Sequence, residues 1–403
     1  MPKHPRGNRK LIQAINRSAV LNTIKTHGPI SRTDIAQLTG LSAATISGIT
    51  AGLLKSELIL EKATGDSSGG RRPILLVLNP RGGYVIGLKL SEDKVTGALT
   101  DLEATVIGKY TGVLDNYSVE VAVETMNQVV QLLLAEGEVD AEQFLGIGVG
   151  LAGIIDARRG ILRYSPIFGW HDVPLAQMLQ SRLQVPVYID NDVNTLTITE
   201  QWFGKGQGVD NFLTITIGRG VGMGIVVNGQ IYHGGKGGAG EFGHTVMDPR
   251  GAVCGCGNRG CLETFVSDPA LLRMAVDSYE RGDMSNKVES MDELLAQARR
   301  GGLGAINVFA RAGEVLGRAV ANLINVLSPE LIIISGEGVR ADDLLFEPMR
   351  ASISENVMSD LSADTQIQID VWDDDAWARG AAGLVLRGLF ESPISSDQLE
   401  ITV

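Results

Sequence analysis

The chain has 403 residues, of which 44% are hydrophobic, with a formal net charge of −12 and three cysteines. That length suits two or three domains with sizeable cores, no apolar run approaches the ~18 residues of a membrane span, and the Lys/Arg-rich start lacks the apolar core of a signal peptide. The expectation is a cytoplasmic protein, and three closely spaced cysteines agree with a reducing compartment.

Charge is uneven along the chain. Residues 1–82 carry twelve Lys/Arg against four Asp/Glu, a net of +8, and the rest carries 23 against 43, a net of −20. A basic N-terminal piece on an acidic body points to nucleic-acid contact confined to that piece. Residues 1–15, with Lys3, Arg6, Arg9 and Lys10, read as a mobile arm on phosphates or as a solvated terminus. From Asn16 the spacing of Val20, Leu21 and Ile24 predicts a helix that His27-Gly28-Pro29 ends. Ser31-Arg-Thr-Asp34 reads as a capping box opening a second helix that buries Ile35 and Leu38. Thr39-Gly40-Leu41 makes the turn, and Ser42 caps a third helix with Ile46, Ile49 and Leu53 on one face. Ser42, Ala43, Thr45, Ser47 and Thr50 are left as the small, polar candidates for its outward face, with Ser31 and Arg32 at the start of the helix before it. This is the pattern of a helix-turn-helix, whose second helix enters the major groove. Two strands, 59–62 and 73–77, then flank a Gly/Ser tip carrying Arg71 and Arg72, which reads as a wing reaching phosphates or a narrow minor groove. A solvated hairpin tip and a protein-docking module are the plainer readings.

From Gly83 the texture becomes α/β. Strands are expected at 84–88, 94–101, 105–110, 145–150 and 185–189, with a helix at 119–134. The strand at 185–189 delivers Asp190-Asn191-Asp192 at its carboxyl end, where open α/β sheets place ligands. Asn and Asp there also cap helices, here 195–203, and the residues alone do not separate the two roles. Phe212–Ile217 is a strand leading into Gly218-Arg-Gly220-Val-Gly222-Met-Gly224, which reads as a phosphate cradle or a plain hairpin before a strand at 225–228. A helix at 322–329, a buried strand at 331–335, a glycine turn at Gly336-Glu-Gly338 and a closing helix at 375–389 complete two similar halves.

The most specific stretch is Glu241 to Glu263. His244 precedes Cys254 by ten residues, and Cys254-x-Cys256-x4-Cys261 follows. Three thiolates and an imidazole are what a closed tetrahedral Zn²⁺ site takes, and Gly255, Gly257 and Gly260 let a short chain wrap one ion. Clustered free thiols are the plainer reading. His244 has a second ring nitrogen that can hydrogen-bond a ligand while the first holds metal, with Glu241 sharing that ligand.

Taken together these residues resemble the ROK family of repressors, open reading frames and kinases, and within it the xylose-type and N-acetylglucosamine-type repressors. The resemblance runs through the helix-turn-helix and wing, the glycine turn 146–153, Asp190-Asn-Asp192, Gly218–Gly224, Glu241-Phe-Gly-His244, the cysteine cluster, Gly260-Cys-Leu-Glu263 and Gly336-Glu-Gly338. It implies a two-lobed α/β fold of the actin-like, sugar-kinase (ribonuclease H-like) type behind a winged helix-turn-helix. The implied domains are a DNA-binding domain at 1–82, one lobe at 83–190 plus 375–403, and a second lobe with the zinc loop at 191–374. The implied sugar pocket, in the cleft between the lobes, takes Gly153, Asn191, Asp192, Glu241, His244 and Glu263. One structural zinc per chain falls to His244, Cys254, Cys256 and Cys261. In family kinases the residue matching Asp192 is the general base, and an Asp-x-Gly-Gly-Thr-type phosphate loop follows the first strand. Here that stretch is Gly87-Leu-Lys89-Leu-Ser-Glu-Asp93, which lacks the paired glycines and places Lys89 where the metal-associated aspartate is expected. The expectation is therefore a sugar-responsive repressor and not an enzyme, acting as a homodimer, or a tetramer of paired dimers, on operator DNA, with a monosaccharide effector. The alternative is an ATP-dependent sugar kinase with a DNA-binding appendage. Many relatives carry Asn near Ile167, and Trp170 reads as a ligand neighbour or as core.

Overall fold

The computed structural model describes residues 9–62, 74–358, 360–361, 364–372 and 375–390. By its contacts the chain divides into two compact units, Met1–Thr195 with Trp377–Val403, and Leu196–Ala376.

The first unit begins with α1 (Arg9–His27), β1 (Ile30–Ser31), α2 (Arg32–Thr39), α3 (Ala43–Lys55), β2 (Ile59–Lys62) and β3 (Leu75–Leu78). α1 starts seven residues before the expected Asn16. Ser31 accepts from Asp34 N at 3.2 Å to cap α2, and Gly40, at φ 69°, ends it. Ser42 caps α3 through Thr45 N. Val20, Leu21, Ile24, Ile35, Ile46 and Leu53 form the buried interior of the three helices. Leu38 does not join them and is 59% exposed. β3 pairs with β1 and β2 in an antiparallel sheet. Arg71 and Arg72, at the expected wing tip, lie outside the described residues.

The unit continues through β4 (Tyr84–Leu90), β5 (Lys94–Thr100), β6 (Val106–Val113), α4 (Val119–Glu136), β7 (Phe144–Leu151), β8 (Ile154–Asp156), β9 (Ile161–Ser165), β10 (Trp170–Val173), α5 (Leu175–Leu183) and β11 (Val187–Asn191), into α6 (Asp192–Phe203). The sheet order is β11-β7-β4-β5-β6, with β8–β10 as a small separate sheet. β4, β7 and β11 are parallel, and β5 and β6 turn back antiparallel. Trp170 belongs to the core. It stacks on Phe168 at 4.5 Å, is 7% exposed and donates Nε1–H to the Tyr117 carbonyl.

The second unit takes over within α6 and holds β12 (Phe212–Ile217), β13 (Val221–Val227), β14 (Gln230–Ile231), α7 (Glu263–Val266), α8 (Asp268–Glu280), α9 (Met291–Arg299), α10 (Leu303–Leu327), β15 (Leu331–Ser335), α11 (Asp343–Asn356) and β16 (Gln366–Ile369). The sheet order β14-β13-β12-β15-β16 repeats the plan of the first, a parallel trio extended by an antiparallel hairpin. β15 is buried at all five positions, as a parallel strand covered on both faces requires. α12 (Ala376–Phe390) returns the chain to the first unit. Among the described residues no helix is long and apolar enough to cross a membrane.

Candidate functional site

In the second unit the loop between β14 and α7 folds back on itself. A 3-10 turn, Phe242–His244, follows Glu241, and His244 N bonds the Glu241 carbonyl. Isolated bridges pair Val246 with Cys261 and Val253 with Arg259, and Leu262 N donates to the Thr245 carbonyl. These short backbone ties bring His244, Cys254, Cys256 and Cys261 together, with all four ligand atoms within 4.8 Å of one another. His244 Nδ1 lies 3.5 Å from Cys254 Sγ, and Cys256 Sγ lies 3.6 Å from Cys261 Sγ. Two sulfurs of a tetrahedral zinc at ~2.3 Å bond length sit ~3.8 Å apart. The donor set and its spacing therefore fit one tetrahedral ion. Burial pushes the Cys261 thiol up to about 12 and raises Cys254, while the backbone N–H of Asn258 lowers the exposed Cys256.

Two carboxylates flank the cluster. Glu241 Oε2 is 3.8 Å from His244 Nε2, the ring nitrogen facing away from the sulfurs. Glu263 Oε2 accepts from Val221 N at 3.2 Å, and its Oε1 lies 3.9 Å from Cys254 Sγ. Glu263 is thus tied to the start of β13, which sequence spacing did not indicate.

In the first unit, β11 and β7 end side by side and place Asn191 near Gly153. Asn191 Nδ2 donates to the Gly153 carbonyl at 3.1 Å, and its Oδ1 accepts from Val193 N at 2.8 Å. Asp192 opens α6, and its Oδ1 also accepts from Val193 N. Asn191 therefore caps α6, and Asp192 is its first helical residue. Asp190, part of the same motif but not among the expected contacts, is 1% exposed and accepts from Asn191 N and Asn194 Nδ2. It fixes the turn from below.

Of the two readings of 218–224, phosphate cradle or plain hairpin, the structure forms a hairpin between β12 and β13. Only Gly218–Gly220 forms the turn, and Gly222 and Gly224 sit inside β13, opposite Thr216 and Thr214. Over that turn stands Glu337. A Cβ placed on Gly218 would lie 2.2 Å from Glu337 Oε2. The stretch 87–93 forms the end of β4 and a tight turn into β5, closed by Ser91 N to the Lys94 carbonyl.

On α3, Ser42, Ala43 and Ser47 are exposed and Thr45 is half-buried. Thr50 is corrected: it is fully buried, bonds the Ile46 carbonyl and accepts from Arg32 Nε at 3.1 Å. Position 50 lies four residues after Ile46 and three before Leu53, so helical geometry puts it on their face. Ser31 is corrected likewise, being 7% exposed with its hydroxyl engaged by Asp34. Arg32 also pairs with Glu61 at 2.9 Å.

The ROK family model matches residues 85–387. This chain belongs to the ROK family. The xylose repressor of Bacillus subtilis (strain 168) is 30% identical over 375 residues, spanning 93% of this chain and 96% of that protein. A crystallised ROK family transcriptional regulator, a homolog of the E. coli MLC protein, superposes with a TM-score of 0.85 at 28% identity, over 94% of this chain and 97% of its own. The ROK family glucokinase from Streptomyces griseus, solved with glucose and AMPPNP, gives 0.63 at 26% identity and spans 75% of this chain but 99% of its own. The chain thus shares its two-sheet body with a kinase and nearly its whole length with a regulator.

Proposed function

We propose that this ROK protein is a sugar-responsive transcriptional repressor that binds operator DNA through residues 1–82 and a monosaccharide through the ROK body. The observation that carries the reading is the difference in coverage, 94% against the regulator and 75% against the glucokinase. The family model begins at residue 85, so the segment before it is the basic one with the three helices. Ser42, Ala43, Thr45 and Ser47 present α3 to a major groove. Arg32, Arg71 and Arg72 supply phosphate contacts. A homodimer would set two such modules on a two-fold operator, since half-site symmetry mirrors protein symmetry.

The effector contacts carried over from the family resemblance are Gly153, Asn191, Asp192, Glu241, His244 and Glu263. Carboxylates, an amide and an imidazole suit a polyhydroxylated ligand, because an analogue lacking a hydroxyl leaves polar groups unpaired. His244, Cys254, Cys256 and Cys261 hold one zinc ion per chain, which stiffens the loop. The ion has no catalytic part.

Two features weigh against phosphoryl transfer. Lys89 stands in β4 where the metal-associated aspartate is expected, and the carboxylate of Glu337 stands over the Gly218–Gly220 turn, where it repels an approaching phosphate. Asp192 at the head of α6 is the feature that favours a kinase. A coupled ADP-release assay over a sugar panel separates the readings, and turnover abolished by Asp192→Asn would decide for the kinase. The direct test is a mobility shift on DNA upstream of the protein's own operon, with pentoses, hexoses and N-acetylated hexosamines added singly. Binding that one sugar class alters supports the proposal, and no binding to any such fragment sinks it.

A further inference from the structure

The first unit contains both the three-helix module and three of the proposed effector residues, and one helix touches the elements that carry each. α12 lies against the centre of the first sheet, where glycines remove the usual layer of side chains. A Cβ on Gly148 of β7 would lie 1.8 Å from the Ala381 carbonyl oxygen, and one on Gly87 of β4 would lie 2.6 Å from that of Ala378. Backbone rests on backbone there. Close-packed interiors transmit displacement, and such a contact has no rotamers with which to absorb it. β7 ends at Leu151, two residues before Gly153, and β11 beside it ends at Asn191. Tyr188 of β11 also reaches α12, its hydroxyl lying 3.6 Å from a Cβ built on Gly388.

The far end of α12 meets the module. Its 15 residues span about 22 Å. Phe390, the last of them, is 2% exposed, and Lys25 of α1 holds its Nζ 4.9 Å from the ring centroid. Lys25 directly follows Ile24, which is buried in the module's interior. A cation over an aromatic face is sensitive to position, so a shift of the ring is felt at the end of α1.

We propose that α12 is the coupling element of this protein, and that the Lys25–Phe390 contact is the joint through which the state of Gly153, Asn191 and Asp192 reaches the DNA-reading helices. This rests on the repressor reading above. The joint itself has a ligand-free signature, which keeps the two separable. A sugar shifts the module only by its differential affinity for two arrangements, and α12 is the body that differs between them.

The test uses the full chain with Phe390→Leu, which keeps apolar volume, and Lys25→Met, which keeps the aliphatic stem. Amide hydrogen exchange is followed without ligand, with β4 and β7 as the internal reference. Exchange in the last two turns of α1 is expected to quicken about tenfold in both variants while the reference strands hold. Unchanged exchange in α1 overturns the joint. The second readout is the ratio of operator affinities with and without the active sugar. It should fall at least about fivefold towards one, with the sugar Kd within about twofold of wild type, and a ratio as large as wild type overturns the coupling role. Exchange behaving as expected while no sugar alters operator binding in the wild type would count against the repressor reading and leave the joint standing.

Discussion

Gly257 and Gly260 both lie in the cysteine loop at positive φ, 93° and 65°, yet their replacement by alanine should have unequal effects. At Gly257 nothing lies within 4 Å of an added Cβ. The penalty is the backbone conformation alone, about 1–2 kcal/mol for an L-residue in the left-handed region. At Gly260 the added Cβ would sit 1.6 Å from the Asp248 carbonyl oxygen. A backbone atom cannot rotate away, so Gly260 must move, and overpacking of that kind adds about 1–3 kcal/mol. The Gly260 carbonyl also accepts from Met247 N at 2.7 Å, and Gly260 precedes Cys261, so the displacement opens the hairpin and pulls one sulfur from the cluster. Gly260→Ala should then cost about 2–5 kcal/mol against about 1–2 for Gly257→Ala, by the same two contributions. Urea denaturation of the purified variants reads the stability, and a chromophoric chelator reads the rate of zinc loss. Equal destabilisation, or wild-type zinc retention in Gly260→Ala, would refute the claim that this close approach shapes the metal loop.

Three other outcomes are expected. Cys254→Ser and Cys256→Ser should each lose zinc and the sugar response together; a metal-free variant with full sugar response would disconnect the loop from the effector. Arg71→Ala with Arg72→Ala should weaken operator binding across all sequences and flatten its dependence on salt, and an unchanged slope removes the wing from the interface. Glu200 is buried, takes N–H bonds from Trp372 and Lys205, and has its carboxyl pKa raised by burial despite them, with Asp370 adding to the rise. The folded form holds that proton more tightly than the unfolded chain, so this group's contribution to stability falls as pH rises from the ordinary carboxylate range to the raised pKa, and is flat beyond. The stability of wild type minus that of Glu200→Gln should therefore be greater at about pH 5 than at about pH 8; parallel profiles would show that the carboxyl is not perturbed.

What could be read from the sequence was local. The cysteine loop was legible because its ligands lie within eighteen residues and the spacing itself restricts the geometry. The strands were legible because buried parallel strands are short, apolar and bounded by glycine. Thr50 lies inward because periodicity outweighs its polarity: positions 46, 50 and 53 share one helical face, and a threonine hydroxyl satisfied by the Ile46 carbonyl and Arg32 is buried there without loss. Leu38 misled in the opposite way, as an apolar residue at a helical spacing that nonetheless faces outward. Glu337 and Gly218 are far apart in the chain, and nothing local signals that one carboxylate covers the other's turn. The same holds for Gly87 and Gly148, which read as ordinary strand glycines until α12 is laid across them.

On the proposed function, His244 would serve both the metal and the sugar. Its Nδ1 faces Cys254 and its Nε2 faces Glu241. A zinc ion that takes Nδ1 leaves the ring proton on Nε2, so that nitrogen becomes a donor only. The Glu241 oxygen opposite is an acceptor when ionised. At 3.8 Å the pair is too far apart for a direct hydrogen bond. A hydroxyl oxygen seated beside both can accept from Nε2 and donate to Glu241. On that reading, metal loss would do more than loosen a loop. It frees the imidazole to place its proton on either nitrogen, and the Nε2 lone pair then repels the same hydroxyl oxygen. On this argument Glu241→Gln, which keeps a carbonyl acceptor and leaves the cluster alone, weakens sugar binding and spares zinc. Cys254→Ser weakens both. Sugar affinity untouched in Glu241→Gln would mean that the hydroxyl is held elsewhere and that His244 serves the metal alone.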